Sequence, residues 1–266
     1  MYQKSLYLDE IEDKIIIWRY MTFASFVDIL LKQKLLFRKI SSFPDLYDCY
    51  ASLDTISRKS FLESVGYRFE NQKIPTIITG TGRPFNPLVK GSISDSKGLE
   101  FMLTSNGDDV ICNADLTYCT CWHENDCENY AMWKIYLGNN PEGIAIKSTI
   151  GQLKHALAKE KEHDIFIGRA NYCTTGVSLF DNTLNEHNVV LRKRKEYDYE
   201  KEIRVFFSVE SVNPYTILDV NIDLKCLIDE IWISPFWPWG KECVERFLSR
   251  LELKEIKVQS SNIKEN

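Results

Sequence analysis

The sequence predicts an α+β fold, and three observations predict it. Apolar runs of strand length recur along most of the chain. Stretches with helical spacing are fewer and fall unevenly between them. The two kinds of element do not alternate in the regular order that a parallel α/β sheet requires, so strands and helices are expected in separate layers. The chain has 266 residues, 44% hydrophobic and 27% charged, enough for a sizeable core in one domain.

KIIIWRY (14–20) reads as a short buried strand. Phe23, Phe26, Val27, Leu30 and Leu31 keep helical spacing, and Thr22 stands where an N-cap hydroxyl would accept a free backbone N–H. KLLFRKI (34–40) is a strand, and SSFPDLYD ends it in a loop through Pro44 and two Asp. Residues 51–72 look helical. From 73 to 107 the chain is rich in Gly, Pro, Ser and Asn (GTGRPFNP, KGSISDSKG), which marks an insertion or mobile region. DLTYCTCWHE (115–124) is a strand, ENYAMWKIYLG (128–138) a short helix or turn closed by Gly138, and GIAIK (143–147) a strand. Residues 150–163 form an amphipathic helix. IFIGRANYC (165–173) and YEKEIRVFF (199–207) are strands, joined by a helix and a charged loop. YTILDVNI, IDEIWIS (228–234) and KEIKVQ (254–259) complete the strands, with a helix at 239–253.

The formal net charge of -5 gives no global field for nucleic acid. No apolar run reaches the length of a membrane span. The N-terminal stretch MYQKSLYLDEIEDK is too acidic and polar for a signal peptide, so a cytoplasmic location is expected. The eight Cys are then reduced, most of them as small buried hydrophobes.

The stretch YDYEKEIRVFF (197–207) carries the first candidate site. On a strand, Ile203, Val205 and Phe207 share one face and Glu200, Glu202 and Arg204 the other. Two readings fit. Either the polar face is solvated and Arg204 neutralises its neighbours, or it is the floor of a cleft. Arg19, near the end of an apolar strand, needs a carboxylate partner such as Glu202 or an anionic ligand. Cys119, Cys121 and His123 would share a face, with Cys127 close behind, but C-x-C-x-H-x3-C matches no usual structural zinc spacing. A catalytic Cys–His pair is a further reading of the same residues. Trp133 and Tyr136 share a helical face, Trp133 as packing and Tyr136 as an edge able to stack on a planar ring. RKRK (192–195) reads as a solvated loop, or a phosphate loop if it folds over the cleft. ISPFWPWG (233–240) is a rigid surface loop, or a protein-partner patch if exposed.

These islands occur in one order: WRYMTF, LLFRKISSFPDLYD, CTCWHE, MWKIYLG, YEKEIRVFF, IDEIWIS. In that order the chain resembles a large bacterial family known as a domain of unknown function, some of whose members are related to abortive-infection proteins that act against phage. Met132, Trp133, Tyr136, Gly143, Glu200, Glu202 and Arg204 carry the match. The chain departs from it at PDLYD, where the family shows Asn-Asp-Pro-Phe-Glu, and at Cys-Trp-His, where it shows Cys-Phe-Ser. The opening strand with Arg19, its helix and the LLF strand are more distantly similar to ADP-ribosyltransferase-like folds.

The ADP-ribosyltransferase-like resemblance implies a mixed or antiparallel split sheet flanked by helices and an NAD site, and the family resemblance implies an antiviral setting. The former also implies that Arg19 contacts phosphate or ribose oxygens and that Tyr136 flanks the planar base. Glu202 would hold a ribose hydroxyl and stabilise an oxocarbenium-like transition state, and Glu200 would position or deprotonate the acceptor. Tyr20, Trp133 and Arg204 join Arg19 and Tyr136 as expected cofactor contacts. Two alternatives stand beside this reading: a non-catalytic sensor or interaction protein, and a metal-dependent nuclease built on Glu200 and Glu202.

Overall fold

The computed structural model describes residues 1–6, 8–45, 49–53, 76–78, 92–94, 100–104, 110–111, 114–173, 176–177, 186–211 and 213–263. Eleven strands matter for the site: β1 Ile16–Thr22, β2 Lys34–Lys39, β3 Thr117–Glu124, β4 Gly143–Thr149, β5 Phe166–Arg169, β6 Asn171–Cys173, β7 Arg192–Arg194, β8 Glu202–Ser208, β9 Ile217–Asn221, β10 Glu230–Ile233 and β11 Lys257–Ser260. The helices are α1 Phe23–Lys32, α2 Tyr130–Leu137, α3 Ile150–Ala156, α4 Glu186–Leu191, α5 Leu224–Leu227 and α6 Gly240–Arg250. Nine of the strands form one sheet in the order β5-β8-β3-β1-β4-β10-β11, with β2 also pairing β3 and β9 pairing β2. Every pairing in it is antiparallel except β10–β11. The protein is α+β, a mostly antiparallel sheet flanked by helices.

The sheet opens in the middle. β3 pairs with β1 only at Ile17↔Glu124 and Trp18↔His123. Further back it pairs with β2 instead, at Arg38↔Cys119 and Lys39↔Tyr118. Between these contacts, at Thr120 to Trp122, β1 and β2 have diverged. They diverge because α1 joins them: the helix starts where β1 ends, with the Thr22 hydroxyl accepting the Ser25 N–H at 3.3 Å as expected.

Alternation sorts the two faces. Ile17, Met21, Tyr118, Trp122, Ile144, Ile146, Ile203, Val205 and Phe207 enter the main core, covered by α1, α3, α5 and α6. Each such side chain contributes about 1.5–3 kcal/mol on burial. On the second face, Trp18, Tyr20 and Ala145 pack under Met132, Trp133 and Leu137 of α2. α2 is capped by Asn129, whose side chain accepts from Ala131 and Met132, and it stops at Gly138, whose φ of +56° favours glycine. Further along the second face, α4 approaches so closely that a Cβ on Gly168 would lie 2.5 Å from Leu191. That approach brings β7, which follows α4, over β8.

Several expectations need correction. The strand expected over 199–207 begins only at Glu202; Lys195–Glu200 is a 3-10 helix, and Lys201 at φ 40° turns the chain between them. Glu200 therefore leaves the strand. RKRK is not a solvated loop: it opens β7, which pairs in parallel with β6, and Arg192 and Lys193 are buried. IFIGRANYC divides into β5 and β6, which belong to different sheets. The helix from 150 gives way to a 3-10 turn at Leu157–Lys159. The helix expected over 51–72 instead begins as strand, Tyr50–Leu53, and its remainder lies outside the described residues. Of 73–107, strands Thr76–Ile78, Ser92–Ser94 and Glu100–Thr104 form a separate sheet, and the rest lies outside the described residues. Of the seven described Cys, only Cys49 and Cys119 are buried; Cys127, Cys226 and Cys243 are exposed. Among the described residues no helix is long and apolar enough to cross a membrane.

Candidate functional site

Glu202 and Arg204 point to the second face of β8, and they are not solvated. Arg204 is 0% exposed and Glu202 6%. An isolated charge in such a place is costly, so it must be paired and hydrogen-bonded. Arg204 Nε and Nη2 both reach Glu202 Oε2 at 2.9 Å. Arg204 Nη1 donates to the Val190 carbonyl at 2.7 Å and to the Cys49 sulfur at 3.0 Å. Lys193, delivered by β7, places its ammonium 3.3 Å from the same Oε2 and 2.5 Å from Glu200 Oε2. Lys193 thus reunites the two carboxylates that Lys201 had separated.

Both cations, Lys193 and Arg204, converge on Oε2. Burial alone would raise the Glu202 pKa. Arg204 and Lys193, aided by the Cys121 thiol, overcome it and hold the carboxyl at about 2. Glu202 is a fixed carboxylate with one oxygen committed to internal cations. Its backbone N–H is also fixed, donating to the Tyr172 hydroxyl at 2.7 Å.

Arg19 occupies the opening of the sheet. Its Nη1 donates to the Cys121 carbonyl at 3.0 Å and to the Thr120 hydroxyl, and its guanidinium lies 5.8 Å from the Trp122 ring centroid. The Cys121 carbonyl thereby receives a side-chain donor where the neighbouring strand has moved away. Arg19 is half-buried, and among the described residues it forms no ion pair: the expected Arg19–Glu202 pairing does not occur. Burial lowers its pKa, with Tyr136, Cys121 and Cys119 opposing.

Tyr136, on α2, lies between these centres. Its side chain is exposed, 45% for the whole residue, and its ring is stacked 6.4 Å from that of Tyr20. The hydroxyl pKa is raised, first by burial at that end of the ring, then by Cys121, Glu202 and Glu200, with Arg19 opposing. The Tyr136 hydroxyl therefore experiences Arg19 and the two carboxylates together. Tyr20 and Trp133, expected as cofactor contacts, are buried instead. The Tyr20 hydroxyl accepts the Asn129 N–H at 2.8 Å, and Trp133 donates to Glu128 at 3.0 Å. They hold α2 in place. Arg204, given the same role, is likewise wholly engaged inside the protein.

His123 completes the face. It is 3% exposed, and its Nδ1 lies 2.6 Å from the Glu200 carbonyl. Beside Glu202 an open cleft of about 500 Å³ is lined by Glu124, Asn125, Asp126, Arg169, Tyr172, Asp198 and Lys201. Arg169 is neutralised there by Glu124 in a two-pronged pair at 2.7 and 3.0 Å.

The zinc arrangement does not assemble. Cys119 and Cys121 sulfurs are 3.8 Å apart, but His123 Nδ1 is taken by a carbonyl and Cys127 is exposed. Contact with Cys119, then burial, raises the Cys121 pKa well above 9, so it is no ready thiolate. Among the described residues, the one group of three donors close enough to share a cation is Glu160, Glu162 and His163. There Glu160 is already engaged by the N–H groups of Glu162 and His163 at 2.7 and 3.2 Å. Between Glu200 and Glu202, the Lys193 ammonium stands where a bridging metal would sit.

Sequence reasoning missed Cys49, weighed Lys193 only as part of a solvated or phosphate-binding loop, and weighed His123 only for zinc or a thiol pair. For Lys193 a signal exists: RK follows the apolar run VVL directly, as continuing buried chain would. Compared with known protein families, curated proteins and solved structures, the chain matches none.

Proposed function

We propose that the opening of the sheet and the second face beside it bind a dinucleotide of the NAD class and transfer its ADP-ribosyl group, in an ADP-ribosyltransferase-like arrangement. The observation that carries this is Arg19. A half-buried guanidinium at a sheet opening, satisfied only by neutral groups, keeps its charge available to an anion. Beside it stands Tyr136, a half-exposed ring whose hydroxyl lies in the field of both Arg19 and Glu202.

The residues suit the ligand. Arg19 holds pyrophosphate, which the largely acidic cleft would repel. Tyr136 stacks on the planar base. Glu202 Oε1 accepts from a ribose hydroxyl, and the fixed negative charge of Glu202 stabilises positive charge that develops at the sugar. A carboxylate for this task needs no proton, so a pKa of about 2 fits it. A phage-defence setting is what the family resemblance adds.

One observation favours a second reading. The Arg204–Glu202–Lys193 cluster is complete without any ligand, as expected of a structural device in a non-catalytic sensor. In that case Trp239, 65% exposed after β10, is the candidate partner contact. Nicotinamide release separates the two. Wild type with NAD and phage-infected lysate should release nicotinamide, and Glu202→Gln should lower the rate by about 10²–10³-fold while staying folded. No release by wild type would overturn the proposal.

A further inference from the structure

We infer that His123 is the proton acceptor for the incoming nucleophile, with Nε2 as the accepting atom; this rests on the transferase reading above. The first support is the tautomer. A carbonyl oxygen can only accept, so the 2.6 Å contact between Nδ1 and the Glu200 carbonyl puts the hydrogen on Nδ1 and the lone pair on Nε2. The second is isolation. His123 is 3% exposed, and Nε2 is buried with no hydrogen-bond partner among the described residues. Buried acceptors are rarely left so, and a ligand O–H or N–H would satisfy this one. The third is placement. His123 is the register partner of Glu202 across β3 and β8, so ring and carboxylate stand side by side on one face. The cleft of about 500 Å³ opens along Glu202 and the residues that follow His123.

Glu200, which the resemblance would have position or deprotonate the acceptor, is held by Lys193 at 2.5 Å, and its carbonyl fixes the His123 tautomer. The Tyr20 ring of β1 lies 6.2 Å from the His123 ring, Glu202 is its register partner on β8, and the charges of Lys201 and Glu124 act on it. Burial lowers the His123 pKa, against a smaller rise from the Glu200 carbonyl, so the free ring is neutral at pH 7. In the step, the acceptor's O–H or N–H proton passes to Nε2 and its electron pair forms the bond to the ribose carbon. The bond from that carbon to the nicotinamide nitrogen breaks, its pair leaving on nicotinamide, which departs neutral. The imidazolium then returns its proton to water.

Two measurements test this. Nitrogen NMR of histidine-labelled wild type, with four His to assign, should show His123 protonated on Nδ1 alone, and NAD should shift its Nε2 resonance. Nicotinamide release against pH should lose its acidic limb in His123→Asn, whose amide can still donate to the Glu200 carbonyl, and fall by about 10²–10⁴-fold. Glu202→Gln should lower the rate at every pH and keep that limb. A folded His123→Asn with an unchanged profile, or a hydrogen found on Nε2, would overturn the inference while leaving the transferase reading in place. If wild type releases no nicotinamide with water or lysate, the reading falls and this inference falls with it. Should His123→Asn fail to fold, the NMR of wild type decides alone.

Discussion

Arg204 and Arg19 both sit among the strands of one sheet, and they are satisfied in opposite ways. Arg204 lies under α4 and β7, wholly buried, with a carboxylate on two of its nitrogens and a carbonyl and a thiol on the third. Arg19 lies where β1 leaves β3, half-buried, with a hydroxyl and a carbonyl and no carboxylate. The difference teaches how burial divides structure from site. A charge sealed inside must be neutralised by the protein itself, and then it has little left for a ligand. A charge at an opening needs only neutral partners and keeps its field for something that arrives.

The largest effect expected from this contrast is on stability at Arg204. Arg204→Met leaves Glu202 buried with Lys193 alone and should cost about 3–5 kcal/mol in urea unfolding. A loss under about 1 kcal/mol would mean that the cluster is not sealed.

Acid sharpens the same side of the comparison. Glu202 titrates at about 2 in the fold, below its ordinary 4.5. A depressed carboxyl contributes stability that is fully present above the unfolded pKa and is lost as pH falls through the folded one. Roughly 3 kcal/mol should therefore disappear between pH 4.5 and 2. Glu202→Gln should flatten that part of the stability–pH curve. An unchanged curve would show that other carboxylates govern acid unfolding.

A smaller effect concerns how α2 is carried. Glu128 accepts from Trp133 at 3.0 Å, the Ser261 hydroxyl at 2.7 Å and the Asn262 N–H at 2.7 Å, tying the chain after β11 to the approach of α2. Glu128→Ala should cost about 2 kcal/mol and raise hydrogen exchange in α2 and residues 261–263 first. Uniform exchange across the sheet would argue against this tie.

Much of the framework was legible because it obeys short-range rules. The period-2 pattern of Ile203, Val205 and Phe207, the Thr22 cap and the Gly138 stop each depend on neighbours within a few residues. The site was less legible because its pairings are long-range. Nothing near Glu202 in sequence announces that Cys49 would meet Arg204, 155 positions away. The break at Lys201 misled for a related reason. Glu-x-Glu-x-Arg reads as one strand face, but a single left-handed residue removes Glu200 from it, and only Lys193 from β7 restores the pair. The divergence of β1 and β2 along β3 is likewise a property of the helix that joins them, not of either strand's own pattern.

The most direct test belongs to Arg19. Arg19→Met removes two hydrogen bonds from a charged donor to neutral acceptors and should cost about 1.5–3 kcal/mol. Calorimetric titration with NAD should then show binding to wild type but none to a folded Arg19→Met. Equal binding by wild type and Arg19→Met, or no binding by wild type, would contradict the claim that the sheet opening is the anion site.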